Sequence, residues 1–114
     1  MSHVFHDGSL AAGAGNVPGT VMELAPYQQQ VVTVQISQIG TNAVVNFEGS
    51  MDNVTFAAVR AFNQADGTGA TTAAAVRIVR LETGFRFLRC RVSAQTAGST
   101  IVTGRAVFGS MGTP

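Results

Sequence analysis

Short runs in this chain place an apolar residue at every second position, and each run stops at a cluster of Gly, Asn, Asp or Ser. Val32, Val34 and Ile36 alternate with Thr33, Gln35 and Ser37, the period of an extended strand with one face buried and one face wet. A helix needs a 3.6-residue period, and no stretch of useful length carries one. After Gly40-Thr41-Asn42, Val45, Phe47 and Gly49 fall on one face of a second strand, and Val44, Asn46, Glu48 and Ser50 on the other. Met51-Asp52-Asn53 is expected to make a tight hairpin, because Asp and Asn tolerate left-handed backbone. Residues 54–62 would return as the antiparallel partner, with Val54, Phe56 and Ala58 on one face.

Gln64 to Ala75 holds Gly, Ala, Thr and Asp but no large apolar residue, and reads as a long exposed loop. Arg77 to Leu81 resumes a strand, Glu82-Thr83-Gly84 turns, and Phe85 to Ala94 is the longest strand candidate. There Phe85 and Phe87 share one parity while Leu88, Cys90, Val92 and Ala94 share the other, so a bulge is expected near Phe87-Leu88. Gln95 to Ser99 turns the chain and Thr100 to Phe108 closes it. About seven strands joined by turns make an all-β protein, an antiparallel β-sandwich of jelly-roll or Ig-like kind, with a small closed barrel as the alternative. The expected division is a Gly/Ala-rich amino-terminal arm or edge strand over 1–25, the sandwich over 26–109 and a tail over 110–114.

Charge is scarce and unevenly placed. Charged residues make up 11% of the 114 residues, against a usual ~25%, while apolar residues make up 46%. All seven cations are arginines (Arg60, Arg77, Arg80, Arg86, Arg89, Arg91 and Arg105), so the chain carries −4 before Arg60 and +5 from there on. Arginine's planar, weakly hydrated fork suits carboxylate clamps and packed contacts, whereas lysine is the usual solubilising cation. These features point to a contact surface and to self-association. A net charge of +1 and the lack of lysine argue against nucleic acid, so the arginines are expected to pair with Glu23, Glu48, Asp52, Asp66 and Glu82 within or between copies.

Chemistry finds little support. Cys90 is alone among apolar neighbours and reads as a core residue, which leaves no disulfide or cysteine-based zinc site. His3 and His6 have H-x-x-H spacing without a third ligand. Glu48 and Asp52 flank a hairpin, where an arginine partner is simpler than an acid/base pair. No G-x-S-x-G turn and no phosphate-cradling loop is present. The expectation is therefore no enzyme, no cofactor and no metal. The amino terminus has neither the basic start nor the apolar run of a signal peptide, and no segment has the ~20 apolar residues that span a bilayer, so cytoplasmic synthesis without membrane contact is expected.

The run Val44-Val45-Asn46-Phe47-Glu48-Gly49-Ser50-Met51-Asp52-Asn53-Val54-Thr55-Phe56 is followed by Gly84-Phe85-Arg86-Phe87-Leu88-Arg89-Cys90-Arg91-Val92-Ser93-Ala94 and then Gly98-Ser99. Over roughly residues 30 to 106 it resembles small virion proteins of tailed bacteriophages, with a strand of the form V-x-F-E-G-S-x-D, a hairpin and a late strand R-[FY]-L-R-x-R-V. The resemblance implies a structural virion role, such as a capsid decoration or cement protein on the capsid exterior, often a trimer seated where capsomers meet. The major capsid protein would then be the partner. A tail or baseplate module binding host carbohydrate is the alternative, although the absence of Trp and a single Tyr27 leave little aromatic platform for a sugar. The residues expected at the protein interface are Arg77, Arg80, Arg86, Arg89, Arg91, Glu48 and Asp52, with Phe5 and Leu10 in the arm.

Overall fold

The computed structural model describes residues 2–8, 15–24, 30–83 and 85–108. Leu10, Tyr27, Gly84 and the tail 110–114 lie outside the described residues. Among those described, twelve strands form two antiparallel six-stranded sheets and no helix. Sheet A takes the order β1 (Ser2–Asp7), β12 (Ile101–Phe108), β4 (Gln30–Gln38), β10 (Arg77–Thr83), β7 (Ala61–Asn63) and β8 (Gly69–Ala70). Sheet B is built on β11 (Phe87–Gln95) and β5 (Val44–Ser50). Strands β2 (Gly15–Val17) and β3 (Val21–Glu23) line the far edge of β11, while β6 (Ala57–Ala58) and β9 (Thr72–Ala73) line the far edge of β5.

The alternating pattern becomes the core directly. Val32, Val34, Ile36, Val79, Leu81 and Val102 from sheet A meet Val45, Phe47, Leu88, Cys90 and Val92 from sheet B in a single buried cluster. Each fully buried Val, Leu or Phe side chain contributes about 1.5–3 kcal/mol relative to exposure, so this contact is the main source of stability. Cys90 is a core residue, and its burial pushes the thiol well above its ordinary pKa.

The strand count exceeds seven because the amino-terminal segment, expected as an arm or one edge strand, supplies β1, β2 and β3, and because two later segments also behave differently from their sequence reading. Residues 54–62 do not return as one strand. Ala57–Ala58 pairs with β5, the Val59 N–H donates to the Phe47 carbonyl at 3.0 Å, and the chain then crosses to sheet A, where Ala61–Asn63 pairs with β10 and β8. Val54 is exposed rather than part of a buried face. Within Gln64 to Ala75, read as a loop, Gly69–Ala70 and Thr72–Ala73 each add a short strand, one to each sheet. Small side chains do not prevent backbone pairing, which needs only the amide groups.

The bulge in the longest strand lies six residues beyond Leu88. Pairing of β11 with β5 runs unbroken from Phe87 to Ser93, whereas its pairing with β2 shifts between Val92 and Gln95. Ala94 adopts φ 64°, and burial passes from Leu88, Cys90 and Val92 to Gln95. The left-handed residue supplies the extra step that re-aims Gln95 inward. There Gln95 accepts a hydrogen bond from the Thr100 hydroxyl, which in turn accepts one from the Gly40 N–H at 3.0 Å.

The first described residues form an edge strand. A second bulge, between Val4 and His6 of β1, lets consecutive residues Phe5 and His6 both face inward. The Phe5 ring fills the space above Gly104, where an added Cβ would lie 2.5 Å from ring atom Cε2. His6 Nε2 lies 2.6 Å from the Cys90 carbonyl, and since a carbonyl only accepts, this nitrogen carries the proton and ties sheet A to sheet B. Phe5→Ala is expected to cost about 3–5 kcal/mol and Gly104→Ala about 1–3 kcal/mol in urea unfolding. The double variant should cost less than the sum, because the new methyl enters the vacated space; strict additivity would mean that Phe5 does not pack there.

Candidate functional site

Strand parity decides where each arginine leaves the sandwich. On β11 the core takes Leu88, Cys90 and Val92, so Arg89 and Arg91 emerge on the outer face of sheet B beside the outward residues of β5. Register sets Arg89 directly opposite Glu48 and Arg91 opposite Asn46, one step along. Glu48 consequently reaches both: Oε1 accepts from Arg89 Nε at 2.7 Å and Oε2 from Arg91 Nε at 3.0 Å. The Glu48 side chain is 13% exposed and the two arginines 24%, which places the cluster in a partly desolvated setting where charge pairing is stronger than on open surface. The Phe56 ring covers Arg89, with Cζ 4.0 Å from the ring centroid. Arg86, just before the strand, pairs with Glu23 at the end of β3 at 3.0 Å, and its guanidinium lies 5.6 Å from the Phe87 centroid.

The other two expected arginines are elsewhere. Arg77 and Arg80 belong to β10 in sheet A, so Arg77, Arg80, Arg86, Arg89 and Arg91 do not form one stripe. Arg80 lies on the outer face of sheet A, opposite Thr33 and Phe62. Arg77 shares the inward parity of its partner Ile36 but sits at the end of the strand, half-buried, and its Nε is buried without a hydrogen-bond partner. It lines an open groove of about 500 Å³ together with Asn63, Gln64, Ala65, Val76 and Ile78.

Asp52 serves its own hairpin rather than an arginine. Its Oδ1 accepts from the N–H groups of Thr55 at 2.8 Å and Val54 at 2.9 Å and from the Ser50 hydroxyl at 2.9 Å, in that order of influence on its pKa, which lies below the ordinary aspartate value. Asn53 takes the left-handed conformation, with φ 61°, at the turn. Asp66 is held down likewise by the N–H and hydroxyl of Thr68 and by the Arg77 charge. A carboxylate whose folded pKa is depressed stabilises the fold above its unfolded value of about 3.9 and loses that contribution as pH falls through the folded value. Of the carboxylates expected to meet arginines, Glu23 and Glu48 form ion pairs, Asp52 and Asp66 cap turns, and the Glu82 side chain lies outside the described residues.

His3 and His6 separate around the β1 bulge. The Thr20 hydroxyl donates to the Val4 carbonyl at 2.6 Å, so its oxygen is left to accept from His3 Nε2 at 2.9 Å. Burial of the His3 ring lowers its pKa, with a hydrogen bond to the Thr20 backbone acting in the opposite direction. Phe5 is a core residue of the first edge strand. Arg60 and Arg105, absent from the expected interface, are both exposed, and no carboxylate pairs with either among the described residues. The parity of Arg105 against Val102 and Gly104 was available in the sequence; the crossing that exposes Arg60 was not.

No protein-family model matches the chain, and no curated protein is similar to it in sequence. Its fold is that of a two-sheet antiparallel sandwich known from proteins of prophage origin. It is similar to the SPBc2 prophage-derived protein YomS, with a TM-score of 0.78 and 19% identity over 96% of this chain and 92% of that one. It is also similar to the PBSX exported protein XepA, with a TM-score of 0.75 and 18% identity over 96% of this chain. The chain spans 37% of the length of XepA. At these identities the likeness defines the fold.

Glu48→Gln is expected to destabilise the protein by about 1–3 kcal/mol, since it leaves two partly buried guanidinium groups without their shared charge. A double-mutant cycle of Glu48→Gln with Arg89→Gln, read by urea unfolding, should give a coupling on the order of 1 kcal/mol. A coupling of zero would remove the cluster from the stabilising contacts of sheet B.

Proposed function

We propose that this protein is a structural virion protein of a tailed bacteriophage, a decoration protein that self-associates, as a trimer, and stabilises the capsid shell by bridging neighbouring capsid subunits. The observation that supports this reading is the match of 96% of this chain to 92% of a prophage-derived protein, in which a sandwich of this kind makes up nearly the whole chain. The resemblance of residues 30 to 106 to small virion proteins agrees with it, as does a surface so poor in charge that coverage by other subunits is the natural state. The mechanism is mass action: a protein that binds only the assembled shell stabilises that shell by its binding free energy. It needs rigid faces of fixed shape, which two packed sheets supply.

A second reading has one observation behind it. XepA is described as an exported protein, and this fold makes up about a third of its length, which fits a module used outside the cell, at the tail or on host-surface carbohydrate. The described phenylalanines favour that reading less, because Phe5 and Phe47 are in the core, Phe85 packs against it, and Phe56 and Phe87 lie under Arg89 and Arg86, which leaves Phe62 alone among them as a half-buried ring on an outer face.

Purified protein mixed with capsids that lack it should co-sediment at low salt, raise the temperature at which the shells open, and run as a trimer by mass measurement. A monomer that sediments with no capsid at any salt, yet binds host envelopes or a glycan array, would replace this reading with the second.

A further inference from the structure

We propose that the outer face of sheet A is the docking face of this protein and that its occupant is a carboxylate-bearing surface of another protein. The proposal rests on the virion reading for where that surface is found, the exterior of the shell, and on charge and register for the face itself.

Register lays out the face in rows. One row runs Arg105, Thr33, Arg80, Phe62 and Gly69 across five strands. Strands lie about 4.8 Å apart, so Arg80 and Arg105 stand roughly 10 Å from one another with only Thr33 between them. The stem of Arg60 lies beside Phe62 over Gly69, where an added Cβ would come within 2.8 Å of Arg60 Cδ. The neighbouring row runs Val4, Thr103, Gln35 and Ile78. Val4 is 47% exposed and Ile78 42%, an apolar share that suits a protein surface better than a phosphate backbone.

The cations on this face are unspent. Arg60, Arg80 and Arg105 are exposed, and among the described side chains no ion pair or hydrogen bond is made by any of them. The outer face of sheet B is the opposite case, since Arg86, Arg89 and Arg91 already hold Glu23 and Glu48. The groove at the end of the same sheet adds Arg77, whose buried Nε lacks an acceptor, next to Ile78 and Val76. A carboxylate is the group that matches a guanidinium fork.

A second copy of this chain is a poor occupant. Among the described side chains, Glu23 and Glu48 are taken by arginines, Asp52 and Asp66 by their own turns, and Asp7 also has a partner; the Glu82 side chain lies outside the described residues. A different protein is the better source of the carboxylates, since five of this chain's six acidic side chains already have partners.

The test compares wild type, Arg80→Glu/Arg105→Glu and, as a control on the opposite face, Arg86→Glu, each first checked for an unchanged circular dichroism spectrum and melting temperature. Binding is measured to capsids that lack the protein and, separately, to immobilised poly-L-glutamate and duplex DNA. The expected result is that the double variant loses capsid and polyglutamate binding by roughly tenfold or more while Arg86→Glu stays close to wild type. Arg80→Lys/Arg105→Lys should bind in between, as the charge is kept and the fork is lost. If wild type binds capsids and the double variant binds equally well, the docking face is wrong while the virion reading stands. If wild type ignores capsids, the virion reading fails, and polyglutamate decides the face: retention lost in the double variant upholds it, and equal retention overturns it. Tighter binding to DNA than to polyglutamate at the same salt overturns the choice of occupant.

Discussion

The structure depends on one constraint, the burial of every second side chain of the long strands between two sheets. Once Val32, Val34 and Ile36 face Val45, Phe47, Leu88, Cys90 and Val92, the intervening residues have no choice of side. Each arginine on a long strand, apart from Arg77 at the inward-parity end of β10, is thereby assigned to an outer face by its distance from its nearest core neighbour. Arg89 and Arg91 go to sheet B, where the register of β11 on β5 delivers them to Glu48. Arg80 and Arg105 go to sheet A, where β4 between them offers only Thr, Gln and Ser to the solvent. The two faces of one sandwich thus differ in kind: one is closed electrostatically on itself, the other presents guanidinium groups without an ion pair among the described side chains, set among hydroxyls, amides and the exposed Val4 and Ile78.

Deviations from strict alternation serve to close the sandwich at its margins. The bulge of β1 turns two successive residues inward, so that Phe5 packs on Gly104 and His6 reaches across to the Cys90 carbonyl. The left-handed Ala94 turns Gln95 inward, and the Gln95–Thr100–Gly40 chain joins the turn before β5 to the turn before β12. Buried polar groups are tolerated where they are satisfied, and both sets of contacts are made between residues far apart in sequence. Chain crossing at Val59–Arg60 has a different outcome: it ties sheet B to sheet A through the backbone and puts Arg60 outside.

Local pattern carried much of this into the sequence. The alternation around Val34 and Phe47, the hairpin at Asp52-Asn53, the core position of Cys90 and the sandwich itself were legible because each depends on residues close together or on a single parity. Pairing of arginines was legible in kind, since Glu23 and Glu48 do hold them, but their division between the two sheets was not, because which strands are neighbours is a long-range fact. Arg77 and Arg80 are close in sequence to Arg86 and belong to the other sheet. The short strands of Ala, Gly and Thr between residues 57 and 73 carry no apolar periodicity and are held mainly by backbone pairing, with Ala73 reaching the core.

The central claim is that parity divides the arginines between a self-neutralised face and an open one. Residue-by-residue modification of the free protein with a dicarbonyl reagent specific for arginine, followed by peptide mass spectrometry, tests it most directly. Arg60, Arg80 and Arg105 should react several-fold faster than Arg89 and Arg91, which are held by Glu48 and, for Arg89, covered by Phe56. Equal rates for the two groups, or faster modification of Arg89 and Arg91, would contradict the account.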